Sequence, residues 1–296
     1  MKKRALGQSD IEISELSLGC MSLPTRIQEV KSVIDTALDA GINYFDTADL
    51  YDKGLNEQLI GEALKPYRHE IILATKVGNR WQEGKDGWTW DPSPSHIENG
   101  LKDSLRRLQT DYIDVYQLHG GTKDDPWDEI IDTFDRLKKE GLIREYGISS
   151  IRRNVFVPFL QESKAVSNMM QFNLLDRCAE EWFAPIRESG ASVVTRGSIA
   201  KGLLTNEWRA RISSYGSYNE QELTGLLQEL SEHYGDLHAL AFAFNLHFKA
   251  VASTVIGARS SQQLLSNIAA YEKATSINDL SFAFHLLKKD TYKEHR

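Results

Sequence analysis

Short apolar runs alternate with amphipathic stretches along almost the whole chain. Eight runs read as strands: ELSLGC, INYFDT, IILATK, DYIDVYQLH, REYGISS, NMMQFN, SVVTRG and ASTVIGA. The stretches between them carry apolar residues at helical spacing. In residues 126–140, Ile130, Phe134 and Leu137 fall on one face, with Asp125 expected as N-cap, Pro126 as the first helical residue and Gly141 just past the end. In residues 94–108, Ser93 and Pro94 open the helix and Ile97, Leu101, Leu105 and Leu108 form its stripe. Gly41, before INYFDT, is placed to close another.

Strands and helices in strict alternation imply parallel pairing with right-handed crossovers, and strands apolar nearly throughout imply that both faces are covered. An open doubly wound sheet and a closed eight-stranded barrel both satisfy this order. An open dinucleotide-binding sheet would show GxGxxG at its first strand–helix turn, where this chain reads LGCMSLPT. The expected fold is therefore α/β, a (β/α)8 TIM barrel. Residues 5–13, ALGQSDIEI, add a short N-terminal β-hairpin turned at Gln8-Ser9-Asp10. Beyond Asn278, Leu280, Phe284 and Leu287 predict a C-terminal helix, with the end, DTYKEHR, in reach of the barrel mouth. Residues 77–93 and 203–220 exceed simple connections, and long βα segments are often functional. No composition shift or Ser/Gly linker divides residues 1–296, which read as a single domain.

Composition narrows the function. Of 296 residues, 41% are hydrophobic and 26% charged, which suits a globular core. A net charge of −7 without any Lys/Arg block disfavours nucleic acid as a partner. Two cysteines, Cys20 and Cys178, at no paired spacing disfavour disulfides or a thiolate metal site. The start, MKKRALGQSD, lacks the apolar stretch of a signal peptide, and no run approaches the ~18 apolar residues of a membrane span. A cytoplasmic location is expected, with no membrane or nucleic-acid partner and no metal.

Catalytic groups of a β/α barrel lie where strands end at the C-terminal face. The second strand ends in Asp46, the third in Lys76 and the fourth in His119, with Tyr51 just past the second. Each has an ordinary explanation alone: a helix cap, a solvated lysine, a structural histidine before two glycines, a half-buried aromatic. Together they complete one another. A phenol holds its proton at neutral pH, and a nearby ammonium favours the phenolate. Asp46 can hold Lys76 charged, and a histidine beside the phenol can orient a carbonyl oxygen. The four make a general acid for an oxygen that gains negative charge, and lack only a hydride donor.

The segments GINYFDTADLY, GLNEQLIGEALK, IILATKVG, DYIDVYQLHG and GLIREYGISS resemble successive signatures of the aldo-keto reductase superfamily, over about residues 3–272. RGSIAKGLL and NRWQEGKDGWTWDPS are most similar to a bacterial, NADPH-dependent branch. The resemblance implies a catalytic set of Asp46, Tyr51, Lys76 and His119, with Tyr51 as proton donor. It also implies NADPH, with NADH kept open, lying extended across the C-terminal mouth. Gly19, Cys20 and Met21 match the turn that passes the nicotinamide ribose. Ser149 and Ser150 stand where the family commonly has Ser-Asn on the carboxamide, and Gln171 matches the other side of that amide. Arg196 replaces a stacking aromatic of many relatives, and its planar guanidinium can stack or meet the pyrophosphate. Gly197, Ser198, Ile199, Ala200, Lys201 and Gly202 match the pyrophosphate loop. Gly257 and Gln263 stand where many relatives carry lysine and arginine, so Arg259 and Ser260 are the candidates for the adenosine phosphate. Asn267 matches an adenine-binding position.

Trp81, Trp88 and Trp90 share the loop after Lys76 and are expected to wall a pocket above Tyr51, with Trp208, Tyr215 and Tyr218 as a candidate second wall. An apolar pocket without a committed charge suits an uncharged aldehyde or ketone. Two other classes fit the residues: an NADPH-binding redox sensor or regulatory subunit with little turnover, and a barrel hydrolase or lyase using Lys76 as a Schiff-base nucleophile. The acid beside Lys76 disfavours the second, since it would keep the amine protonated. The sequence leaves the oligomeric state open.

Overall fold

The computed structural model describes residues 1–82, 84 and 87–292. The chain opens with an antiparallel hairpin, β1 (Lys3–Ala5) and β2 (Glu12–Ser14), in which Ala5 pairs with Glu12. The eight predicted strands follow as β3 (Leu16–Gly19), β4 (Tyr44–Asp46), β5 (Ile72–Val77), β8 (Ile113–Leu118), β9 (Ile143–Ser149), β10 (Ser167–Gln171), β11 (Ser192–Arg196) and β12 (Val251–Gly257). They are parallel and close into a barrel in that order, β12 pairing back onto β3. Between β5 and β8 lies a second hairpin, β6 (Asn79–Trp81) and β7 (Trp88–Trp90). The segment after β5 therefore carries a two-stranded arm rather than a plain loop; residues 83, 85 and 86 lie outside the described residues.

Helices follow the barrel strands: α1 (Ile27–Asp39), α2 (Leu55–Leu64), α3 (Pro94–Leu108), α4 (Trp127–Lys139), α5 (Arg153–Glu162), α6 (Phe183–Glu188), then α7 (Glu220–Tyr234) and α8 (Leu237–His247) together after β11, and α9 (Ser261–Ala274) and α10 (Ser281–Leu286) after β12. Helix α3 begins as the sequence predicts: the Ser93 side chain accepts from His96 N–H, and Ile97, Leu101 and Leu108 are buried. Helix α4 does not. Pro126 takes the N-cap position, and the Asp125 carboxylate instead accepts from Thr122 N–H and hydroxyl and from Trp90 Nε1. The expected Asp125 cap is thus corrected, because those three donors hold the acid in the preceding loop. Gly41 ends the turn after α1 at φ +79°, where a Cβ would be strained. The predicted last helix is α10, with Leu280, Ala283 and Leu287 buried.

Two apolar volumes hold this together. One lies between barrel and helices and contains Phe45, Ile97, Leu101, Phe134 and Phe242. The other fills the barrel itself with Tyr44, Ala74, Val115, Met169, Val194 and Ala252, and is closed at the N-terminal end by Leu6, Ile11 and Ile13 of the first hairpin. Period-two alternation therefore points Tyr44 and Asp46, Ala74 and Lys76, and Val115 and Gln117 inward on three neighbouring strands. The interior is apolar at the bottom and ionic at its C-terminal rim. No helix among the described residues is long and apolar enough to cross a membrane.

Candidate active site

At that rim the Lys76 ammonium donates to Asp46 Oδ2 at 2.7 Å, to the Thr47 carbonyl at 2.6 Å and to the Tyr51 hydroxyl at 3.4 Å. Asp46 and Lys76 are 4% and 1% exposed, so this ion pair is shielded from water. Burial raises the Asp46 carboxyl, opposed by the Lys76 charge and by hydrogen bonds from Lys76 and Gln117. For Lys76, burial works against the charged form, but the Asp46 charge, Tyr51 and their hydrogen bonds prevail and raise it. Lys76 is therefore a held ammonium, not a free amine. His119 stands edge-on to Tyr51, ring centres 6.1 Å apart. Burial, then the charges of Lys76 and Arg196, lower its imidazole to about 3, so it is neutral at physiological pH. Its Nδ1 is buried without a hydrogen-bond partner among the described residues.

Local sequence explains the placement. Asp46 and Lys76 are the last inward residues of short strands, and Asn56 on α2 ties the Thr47 hydroxyl to the Cys20 carbonyl at 2.7 and 2.8 Å. After Tyr51 the chain turns through Asp52 (φ +49°), Lys53 (φ +54°) and Gly54 (φ +88°), two left-handed non-glycine residues in a row. Such strain persists only where surrounding contacts over-determine it.

These groups floor an open cleft of about 1440 Å3 across the C-terminal mouth. Trp81, Trp88 and Trp90 wall it. Trp81 Nε1 donates to the Leu50 carbonyl at 3.2 Å, fixing the arm beside Tyr51, and Trp88 meets Trp81 edge-on at 6.0 Å while 57% exposed. Trp90 packs against Gly78, where an added Cβ would come within 2.5 Å of its ring. Of the second-wall candidates only Tyr215 lines the cleft, its hydroxyl accepting from Asn173 Nδ2 at 3.0 Å. Trp208 and Tyr218 are packed into the core instead, the Tyr218 hydroxyl accepting from Lys288 N–H.

The model of the aldo/keto reductase family matches residues 15–282. The chain belongs to that family. Uncharacterized oxidoreductase YqkF of Bacillus subtilis (strain 168) is 48% identical, with all of both chains covered. The holo form of aldo-keto reductase AKR11C1 from Bacillus halodurans is 50% identical, covers 100% of this chain and 99% of its own, and superposes with a TM-score of 0.93. The apo form of the same protein gives 46% identity over the same shares and a TM-score of 0.86. The chain is thus an aldo-keto reductase, a class that acts on carbonyl compounds with nicotinamide cofactors.

The expected cofactor residues of this aldo-keto reductase fall into two sets. Gly19, Met21, Ser149, Ser150, Gln171, Arg196, Gly197, Lys201 and Gly257 line the cleft. At Gly257 a Cβ would come within 2.9 Å of Ser22 Oγ, and Gly197 turns at φ +69° beside the Gln171 side chain. Arg196 and Lys201 are exposed cations on this side. Gln171 links Arg196 to an acid: Arg196 Nη1 donates to its Oε1 at 3.3 Å, and its Nε2 donates to Asp176 at 2.6 Å. A long cleft with cations, turning glycines and amide groups fits an extended dinucleotide.

The second set is placed otherwise. Cys20 is fully buried, its Sγ against the Leu18 carbonyl at 3.7 Å, so its thiol faces the core. Ser198, Ala200 and Gly202 are buried and Ile199 packs against the core, so they shape the loop that presents Gly197 and Lys201. Ser260 is the N-cap of α9, accepting from Gln263 N–H at 3.2 Å, while Gln263 Oε1 accepts from Arg259 N–H at 2.8 Å. Asn267 Oδ1 bonds His238 Nε2 at 2.9 Å, and its buried Nδ2 lacks a partner among the described residues. Of the tail, Tyr292 packs against the core, and burial, then Asp176 and Cys178, raise its hydroxyl. Residues 293–296 lie outside the described residues. Gln117, Asp176 and Arg152 are cleft or rim residues that sequence reading missed. A glutamine at an inward position of the apolar strand DVYQLH was the signal for the first.

Proposed function

We propose that this protein reduces aldehydes or ketones to alcohols by hydride transfer from NADPH, with Tyr51 as the general acid. The observation that carries the reading is the buried Asp46–Lys76–Tyr51 chain under an open cleft, with neutral His119 beside the phenol. A bound reduced nicotinamide supplies the hydride to the carbonyl carbon. Tyr51 donates its proton to the carbonyl oxygen, and the Lys76 ammonium faces the charge that appears on the phenol oxygen as the proton leaves. Asp46 holds the ammonium in place. His119, uncharged, offers a hydrogen bond that aligns the carbonyl without competing for the proton.

Gln171, Ser149 and Ser150 would hold the carboxamide, Gly197 and Lys201 the pyrophosphate, and Arg196 would stack or pair there. Because Ser260 and Gln263 are engaged in capping α9, the Arg259 guanidinium is the cation left in the 257–263 turn for the adenosine phosphate. This supports NADPH over NADH. The tryptophan arm supports an uncharged substrate with apolar bulk. A protonated, ion-paired Lys76 speaks against Schiff-base chemistry.

The test is a fluorescence titration with NADPH and NADH, then absorbance at the reduced-nicotinamide band with a panel of aldehydes and ketones. Tyr51→Phe should lower kcat by about 10²–10⁴-fold with NADPH affinity nearly unchanged. Tight binding without turnover would favour the sensor, and equal loss of affinity and turnover would make Tyr51 structural.

A further inference from the structure

The buried chain has one member without a task. Gln117 lies on β8 in register with Lys76 on β5 and is 1% exposed. Its Nε2 donates to Asp46 Oδ1 at 3.2 Å, while Asp46 Oδ2 accepts from Lys76 at 2.7 Å. The two carboxylate oxygens are thus held by different donors on two successive strands. With Lys76 alone, the carboxylate could pivot about its terminal torsion and offer either oxygen, because such torsions are broad. The second donor removes that freedom. We infer that Gln117 is a positioning residue: its amide fixes the Asp46 carboxylate toward Lys76 and thereby the ammonium beneath the Tyr51 hydroxyl.

The inference rests on the reductase reading for its kinetic consequence, but the contact itself does not. The groups facing Asp46 are Lys76 from β5, Arg196 from the end of β11, Cys20 after β3 and Tyr44 from its own strand, with Tyr51 reached through Lys76. Burial raises both Cys20 and Tyr44, so they stay neutral and act only as a low-dielectric wall. Lys76 and Gln117 are the side chains that hydrogen-bond the Asp46 carboxylate among the described residues.

Two variants test it. Gln117→Met keeps the length and removes the donor; Gln117→Glu donates when protonated and repels Asp46 when ionised. In Gln117→Met, kcat should fall about tenfold, as for loss of one hydrogen bond to a charged group, with NADPH affinity within about twofold. The Asp46 midpoint, followed by NMR of 13C-labelled side-chain carboxyls, should rise by about one pH unit. In Gln117→Glu, kcat should fall steeply as pH rises, a dependence absent from Gln117→Met, and this decides the matter should the methionine variant fold poorly. The inference is overturned if kcat and the Asp46 midpoint both stay at wild-type values, or if activity falls only in step with unfolding and cofactor loss. If the wild type reduces no carbonyl compound, the reductase reading fails while the Asp46 midpoint still decides the role of Gln117.

Discussion

Replacing Asp46 by Asn removes the charge from a buried ion pair and puts an NH2 group opposite the Gln117 amide, which Gln117 can meet by turning its own oxygen inward. The new amide keeps the shape and can still accept from Lys76, which also retains the Thr47 carbonyl at 2.6 Å and the Tyr51 hydroxyl at 3.4 Å. What is lost is the countercharge at 2.7 Å to an ammonium that is 1% exposed. Leaving one partner of such a pair uncompensated costs about 3–5 kcal/mol. The cost has a ceiling, because Lys76 can release its proton instead. A lysine with an ordinary pKa near 10.4 does so at pH 7 for about 4.6 kcal/mol and at pH 9 for about 1.9 kcal/mol, at about 1.36 kcal/mol per pH unit. Asp46→Asn should therefore lose about 3–4.6 kcal/mol at pH 7 and about 2 kcal/mol at pH 9. The sign follows from proton counting: in the variant the unfolded state binds more protons than the folded state below pH 10, so stability rises with pH. In the wild type Lys76 is raised and stays protonated across this range. Urea unfolding at 25 °C at both pH values measures the gap. A loss under about 1 kcal/mol, or the same loss at pH 7 and pH 9, would refute the argument that Lys76 is a buried ammonium held by Asp46.

Asp49, two residues before Tyr51, has a carboxyl raised to about 8 by burial and by Glu57, with Oδ1 buried and unpartnered among the described residues. The folded state keeps a proton that the unfolded chain releases near pH 4, so stability should fall as pH climbs from about 4 to 8. Asp49→Asn should relieve that loss, gaining about 1–3 kcal/mol at pH 8 and little at pH 4 by urea unfolding; an equal gain at both would contradict it. Arg259→Ala should weaken NADPH much more than NADH in a fluorescence titration, and unchanged discrimination would sink the proposed phosphate contact.

The fold was legible because its signals were local and repeated. Each of the eight barrel strands is an apolar run bounded by polar caps, and the missing GxGxxG pointed toward closure before any pairing was visible. The same local logic failed at Asp125. An acid before a proline before a helix reads as a cap, but Trp90 and Thr122 compete for the carboxylate, and the tryptophan arrives from 35 residues away. The arm itself was hidden for a related reason: β6 and β7 are three residues each, too short for alternation to register.

Within the candidate site, legibility followed the direction of side chains. Asp46, Lys76 and His119 end strands, so topology alone brings them to one rim. Gln117 escaped notice because it lies within the apolar strand β8, not past its end, where a polar residue is recognisable only once the barrel's inward set is known. At the phosphate end the sequence position of Ser260 and Gln263 suggested a ligand, whereas their side chains close the first turn of α9. A helix start offers the same N–H groups to a capping oxygen and to a bound anion, and a phosphate must displace Ser260 or approach beside it. Arg259 does not face that competition, since only its backbone N–H enters the cap. The proposed preference for the phosphorylated cofactor would thus fall on Arg259, the cation of that turn, whose guanidinium forms no ion pair among the described residues.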